Sequence, residues 1–211
     1  MHFLLYTVSA FAAYLIGSFS PSIFLSRSLL GRDVRKQGSG NAGATNMARV
    51  YGMGFGVVTL LCDALKAVAA IAFAVWLLGE WGIFVGGIFC LLGHCFPVFY
   101  GFKGGKGVSV GAVVALAVDW RAFVVVVVVF ALGAVLTRKV SVGSVLAAIS
   151  IAPAALIIAV STPKLLLAIF GSILVTARHA ANIERVVHGE EPDFHAAEPK
   201  KFCFKLKRDK K

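Results

Sequence analysis

Residues 56–78 read GVVTLLCDALKAVAAIAFAVWLL. As an α-helix this run would rise about 35 Å, enough to cross a hydrocarbon layer of roughly 30 Å. Its only charges are Asp63 and Lys66. They are three residues apart, hence on one face, where an intrahelical ion pair would neutralise both. The rest of the helix surface is apolar all round, which suits lipid or a membrane-protein core and not water. The run is read as a membrane-spanning helix.

Six further runs have the same character: Phe3–Ser26, Trp81–Phe99, Gly107–Val118, Ala122–Thr137, Val142–Val160 and Lys164–Ala181. Gly107–Val118 is short. The run Val124–Val129 is β-branched, but its place between these neighbours suits a lipid-facing helix better than a strand. The expected fold is all-α, a polytopic membrane protein with seven transmembrane helices. Composition agrees: 59% of the 211 residues are hydrophobic, 15% are charged, and mean hydropathy is +0.87. The first run has no basic residue before it and leads into Gly17-Ser18-Phe19-Ser20-Pro21, so it reads as a retained helix and not a cleaved signal.

The net charge of +11 is unevenly placed. Arg27, Arg32, Arg35, Lys36 and Arg49 precede the second run, Lys103 and Lys106 the fourth, and Arg138 and Lys139 the sixth. More follow the seventh. The alternate connections hold only Arg121 and Lys164, with acidic Glu80 and Asp119. Basic loops stay inside, so the N-terminus is expected outside and the C-terminus in the cytoplasm. Topology, anionic lipid and anionic substrate account for the basic charge, and no nucleic-acid partner is expected. Residues 1–189 are expected to form a single membrane-embedded catalytic domain. Residues 190–211 form a basic cytoplasmic tail that ends KFCFKLKRDKK.

Three constellations carry chemistry, all on the expected inner side. Gly38-Ser39-Gly40-Asn41-Ala42-Gly43-Ala44-Thr45-Asn46-Met47-Ala48-Arg49 combines loop glycines, which can turn N–H groups toward an anion, with an arginine able to grip phosphate through two hydrogen bonds. Gly104-Gly105-Lys106-Gly107 feeds the start of a helix, a common anion site, with Lys103 nearby. Lys106 is followed by Gly and not Ser or Thr, so this is no ATP-hydrolysing phosphate loop. Arg178-His179-Ala180-Ala181-Asn182 sets His179 and Asn182 three apart, on one face, with Arg185 a turn further on. Ser141 and Ser144 flank Gly143 at the start of the sixth helix, where a serine either donates to a ligand or bonds its own backbone.

Absences narrow the reading. These loops hold no carboxylate pair, no metal-binding cluster and no cofactor motif. Cys62, Cys90, Cys95 and Cys203 form no Cys-x-x-Cys pair and read as small core residues. A site of cations and hydrogen-bond donors suits phosphate-bearing substrates that are already activated.

Taken in order, GSFSP at 17–21, GSGNAGATN at 38–46, GHCFPVF at 93–99, FKGGKGV at 102–108, SVGS at 141–144 and RH-x-x-NI-x-R at 178–185 resemble the bacterial acyl-phosphate:glycerol-3-phosphate acyltransferases. The resemblance implies acyl transfer from acyl phosphate to the 1-hydroxyl of glycerol 3-phosphate, at the cytoplasmic membrane, without cofactor. It implies no direct use of acyl-CoA or acyl-carrier protein. It puts Ser39, Arg49, Lys106, His179 and Asn182 at catalytic positions. Gly40, Asn41, Thr45, Asn46, Lys103, Gly104, Gly105, Ser144 and Arg178 are the expected substrate-binding residues. Membrane lipid is the surrounding partner. The Lys-rich extension departs from the family pattern. The competing class is an organophosphate or anion transporter, which would carry charge deep in several helices and a two-half symmetry that this sequence lacks. A CDP-alcohol phosphotransferase would need a cluster of Asp residues for metals, and only Asp63 lies within a helix.

Overall fold

The computed structural model describes residues 2–197. The end of the basic tail, 198–211, lies outside the described residues, and Cys203 with it. Among the described residues there are ten α-helices and no strand: α1 His2–Ser18, α2 Pro21–Ser28, α3 Ala44–Tyr51, α4 Met53–Leu78, α5 Trp81–Cys95, α6 Val108–Val118, α7 Trp120–Thr137, α8 Val140–Ile158, α9 Thr162–Arg178 and α10 Ala180–Val187.

Five stretches are long and apolar enough to cross a membrane: His2–Ser28, α4, Trp81–Tyr100, α7 and α8. The α9–α10 pair makes a sixth only when taken together, and it bends by 57°. The remaining expected span, α6, is an 11-residue helix and too short to qualify alone. Two expected helices are broken. The first breaks at Phe19 and Ser20, where Ser20 is extended and Pro21 opens α2 with φ already helical. The last breaks at His179.

Helix α1 packs against α4 and α5, α7 against α8, and α6 sits among α4, α7 and α9. Small residues set these distances. A Cβ on Gly17 would lie 2.4 Å from the Cys90 carbonyl oxygen, and one on Gly93 would lie 2.3 Å from that of Tyr14, so α1 and α5 touch backbone to backbone. Gly82 and Gly86 do the same between α5 and α4. Leu91, Val110, Val114, Val118 and Leu167 fill the centre with no exposed surface. Cys90 and Cys95 are buried free thiols, as expected. Helix α7 instead turns Val124, Val125, Val128 and Leu132 outward, the surface expected to meet lipid.

The connections collect at two ends. At one end, Arg35 bonds the carbonyls of Tyr100 and Lys103, Lys106 bonds Asn182, and the Phe194 N–H bonds the Arg138 carbonyl. At the other, Ser161 donates to Glu80 at 2.6 Å. All three constellations therefore lie at one end of the bundle.

Candidate active site

A cavity of about 990 Å³ opens at that end. Its polar wall comes from four segments: Ser39, Asn41, Thr45 and Arg49 from the first loop and α3; Lys106 from the second loop; Ser141 and Ser144 from α8; and His179, Asn182 and Arg185 from the α9–α10 corner. Its deeper wall is apolar, with Leu60, Phe123, Val127, Phe130, Ile151 and Val175 from α4, α7, α8 and α9.

Asn46 builds the first loop. Its Oδ1 accepts the Ser39 N–H at 2.9 Å, and its Nδ2 faces the carbonyls of Val34, Gln37 and Asn41 at 3.1, 3.0 and 3.0 Å. The carboxamide is buried and engaged with the loop backbone, so Asn46, which also lines the cavity, shapes the loop. Gly40 turns away. It takes φ +72, gives its N–H to the Gln37 carbonyl, and does not line the cavity. The Arg49 side chain, on α3, has no hydrogen-bond or ion-pair partner among the described residues and lines the cavity.

Arg35 was not anticipated. It reaches the Tyr100 and Lys103 carbonyls at 2.7 and 3.0 Å while pairing with Asp33, and so locks the first loop to the second. The Arg35 and Arg27 guanidiniums hold the Asp33 carboxyl far below its ordinary range.

The second loop folds back on α5. The N–H groups of Gly104 and Gly105 donate to the Cys95 and His94 carbonyls at 3.2 and 3.1 Å. Both N–H groups are thus spent on α5, and neither glycine lines the cavity. Their lack of side chains has another use: a Cβ on Gly104 would sit 2.1 Å from the His94 carbonyl oxygen, and one on Gly105 would sit 2.2 Å from His94 Nε2. Lys103 is exposed and does not line the cavity. Arg178 is also outside. It bonds the Gly105 carbonyl at 3.3 Å and stacks over Phe96 at 5.1 Å, supporting the loop from behind.

Lys106 is the cation this loop delivers. Its ammonium donates to Asn182 Oδ1. Burial, together with Arg185, Arg178 and Arg49, lowers its pKa to about 8, against the pull of Glu191. Asn182 passes the contact on, donating Nδ2 to Glu191 at 2.7 Å, and Glu191 accepts from Arg185 at 2.8 Å. Burial alone would raise the Glu191 carboxyl, but the Asn182 and Arg185 donors and the Arg185 charge help outweigh it and hold the group ionised. His179 is buried, with Nδ1 2.8 Å from the Val175 carbonyl. That carbonyl can only accept, so Nδ1 carries the proton and Nε2 is left as an acceptor beside the cavity. Ser144 spends its hydroxyl proton on the Val140 carbonyl at 2.8 Å, so as a substrate residue it can only accept.

Glu191 begins a strap that sequence alone had assigned to the tail. Asp193 pairs with Lys139 at 2.8 Å, and the Ala197 N–H reaches the Ala48 carbonyl at 3.1 Å. The strap joins the α7–α8 turn to α3 across the cavity mouth, and residues 191–195 line it.

A helical membrane bundle with an apolar cavity capped by clustered cations defines the class: an integral membrane protein whose cavity joins an apolar space to a cationic rim. Within that class, the chain belongs to the glycerol-3-phosphate acyltransferase family, whose model matches residues 7–189. Similar chains include glycerol-3-phosphate acyltransferases of Syntrophotalea carbinolica, 39% identical over 88% of this chain and 95% of the relative, and of Finegoldia magna, 36% identical over 90% and 97%. The fold resembles the crystal structure of PlsY (YgiH), an integral membrane glycerol 3-phosphate acyltransferase, in its glycerol 3-phosphate form. The TM-score is 0.84 and identity 34%, over 90% of this chain and 96% of that one. Its lysophosphatidic acid form matches with a TM-score of 0.82.

Proposed function

We propose that the protein transfers an acyl group from an acyl phosphate to the 1-hydroxyl of glycerol 3-phosphate, giving 1-acylglycerol 3-phosphate and inorganic phosphate. The observation that carries this reading is one cavity with two characters. Cations and amides from three distant segments cap an apolar space between helices. The phosphates of both substrates sit at the cap, and the acyl chain lies in the apolar part. Arg49 and Lys106 offset the repulsion between two anions, which lets them approach. Ser39, Asn41 and Thr45 bind oxygens from the first-loop side, Asn182 orients Lys106, and Ser144 accepts from a substrate hydroxyl.

The hydroxyl oxygen forms the new bond to the acyl carbon, the bond from that carbon to the phosphate oxygen breaks, and the hydroxyl proton ends on phosphate. The carboxylates lining the cavity are Glu191 and Asp193, both engaged with cations. The departing phosphate therefore takes the proton, and His179 Nε2 accepts a hydrogen bond that aims the hydroxyl. His179→Gln is expected to keep measurable turnover with an unchanged pH profile. Loss of all turnover with glycerol 3-phosphate still bound would make His179 the base.

In the same reading the chain crosses the bacterial cytoplasmic membrane seven times, with the N-terminus outside, residues 1–189 as one catalytic domain and the site facing the cytoplasm. The deciding experiment compares donors with purified protein in lipid. Lysophosphatidate should form from acyl phosphate and not from acyl-CoA. Transfer from acyl-CoA at a similar rate would refute the donor assignment, and transport without transfer would favour an anion carrier.

A further inference from the structure

Beneath the cationic cap lies a second polar group that the proposed chemistry leaves unused. Asp63 and Lys66 form the expected intrahelical ion pair, at 2.8 Å, and both side chains are nearly inaccessible. The pair is not alone. Lys66 Nζ also contacts the Phe19 carbonyl at 2.6 Å and His94 Nδ1 at 3.1 Å. Asp63 Oδ1 is 3.3 Å from the same Nδ1.

These distances fix the histidine's tautomer. An ammonium has donors and no acceptor. Lys66 donates to the Phe19 carbonyl and to His94, so Nδ1 accepts; Asp63 Oδ1, 3.3 Å from the ring, makes no hydrogen bond with it and pairs with Lys66 by charge alone. The ring proton is then on Nε2. His94 is 5% exposed and lines the cavity, and its Nε2 has no protein partner among the described residues. It abuts Gly105, the residue before Lys106. The Nε2–H therefore opens onto the cavity, where an anion beside Lys106 would meet it.

We propose that His94 contacts substrate, presenting Nε2–H to a phosphoryl oxygen, and that Asp63 and Lys66 are positioning residues that hold its tautomer. The site is the one read above as a phosphate site, so the proposal rests on that reading. The oxygen can belong to either substrate, since both carry phosphate.

The test has two arms. The first measures KM and kcat with each substrate in lipid. His94→Phe, which fills the space without a donor, should raise KM about 10- to 100-fold for the substrate whose phosphate is held. His94→Gln, which places an N–H near the Nε2 position, should recover most of that loss. Equal values for wild type, Phe and Gln variants, with unchanged thermal unfolding, overturn the proposal. The second arm needs no activity and covers a Phe variant that fails to fold. Imidazole-¹⁵N spectra of the wild-type protein in detergent should show His94 as the Nε2–H tautomer, with that resonance moving on addition of inorganic phosphate. Lys66→Met should abolish the single tautomer. An Nδ1–H tautomer, or no response to phosphate, overturns the proposal even in an active enzyme. A phosphate response in protein that transfers no acyl group would uphold it while removing the acyltransferase reading.

Discussion

Lys106 carries the sharpest consequence at the scale of single residues. Burial and three neighbouring guanidiniums bring its pKa to about 8. Below that value the ammonium is charged and, in the proposed function, holds phosphate; above it the charge is lost. kcat/KM reports the free enzyme's ionisations, so it should fall as pH rises through about 8. An arginine stays charged throughout, so Lys106→Arg should flatten this alkaline limb, whatever its effect on the maximum. An unchanged limb in Lys106→Arg would place the ionisation elsewhere. Removal is a stronger change. Arg49→Ala and Lys106→Ala should each lower phosphate release from acyl phosphate plus glycerol 3-phosphate by about 10²–10³-fold. Near-normal turnover in both would end the assignment of these cations. At this scale the sequence was most legible where a cation had no other duty. Arg49 reaches the cavity as its loop position suggests, and nothing else claims its side chain. Asn46, Gly104 and Gly105 have their hydrogen-bonding groups taken by distant or local backbone, which spacing does not reveal.

Helices of about 20 apolar residues are visible in sequence because the bilayer demands them. Shorter elements are not. Helices α3 and α10 have eight residues each, too few for a periodic signal, and the reading of 27–55 as loop missed α3. The strap was hidden because its anchors are an ion pair and two backbone bonds to residues far along the chain. A trace existed: Glu190 and Glu191 follow Arg178 and Arg185 and are natural counter-charges to them. The fold-back of the second loop was equally hidden, and it yields a prediction. A methyl at Gly105 would overlap His94 Nε2 and come within 2.8 Å of the Ala42 carbonyl oxygen. Gly105→Ala should push the loop off α5, lower stability by about 1–3 kcal/mol, and displace Lys106. Gly54→Ala, a helical position with open space around the added methyl, should be neutral or slightly stabilising. Thermal unfolding and turnover measured side by side separate the two. Normal turnover in Gly105→Ala would show that the loop's close approach is not what places the lysine.

For the molecule as a whole, α6 is the difficulty. Eleven residues rise only about 16 Å, half of a hydrocarbon layer. Yet its ends lie at opposite ends of the bundle. Lys106 precedes it beside Asn182, while Asp119 follows it, held ionised by Arg121 and, more distantly, by Lys164 at the start of α9. The second loop resolves this. It runs back along α5 as far as the His94 carbonyl, so in the proposed topology α6 starts below the surface and has only the remaining depth to cross. Such backbone is tolerated at membrane depth where it lines a polar cavity, as this loop does. The cationic cap is therefore recessed, with the apolar part of the cavity directly beneath it. This geometry predicts seven crossings and can be tested by labelling. In a variant lacking its own cysteines, Lys164→Cys should react with an impermeant maleimide on intact cells. Lys36→Cys, exposed at the opposite end, should react only after the membrane is opened. Labelling of both from outside would mean that α6 does not cross and that the two halves of the chain are oriented otherwise. Lys106→Cys adds depth: it should react slowly even in opened membranes, and more slowly still with glycerol 3-phosphate present. Labelling as fast as at Lys36→Cys would place the second loop at the surface and remove the reason α6 can be short.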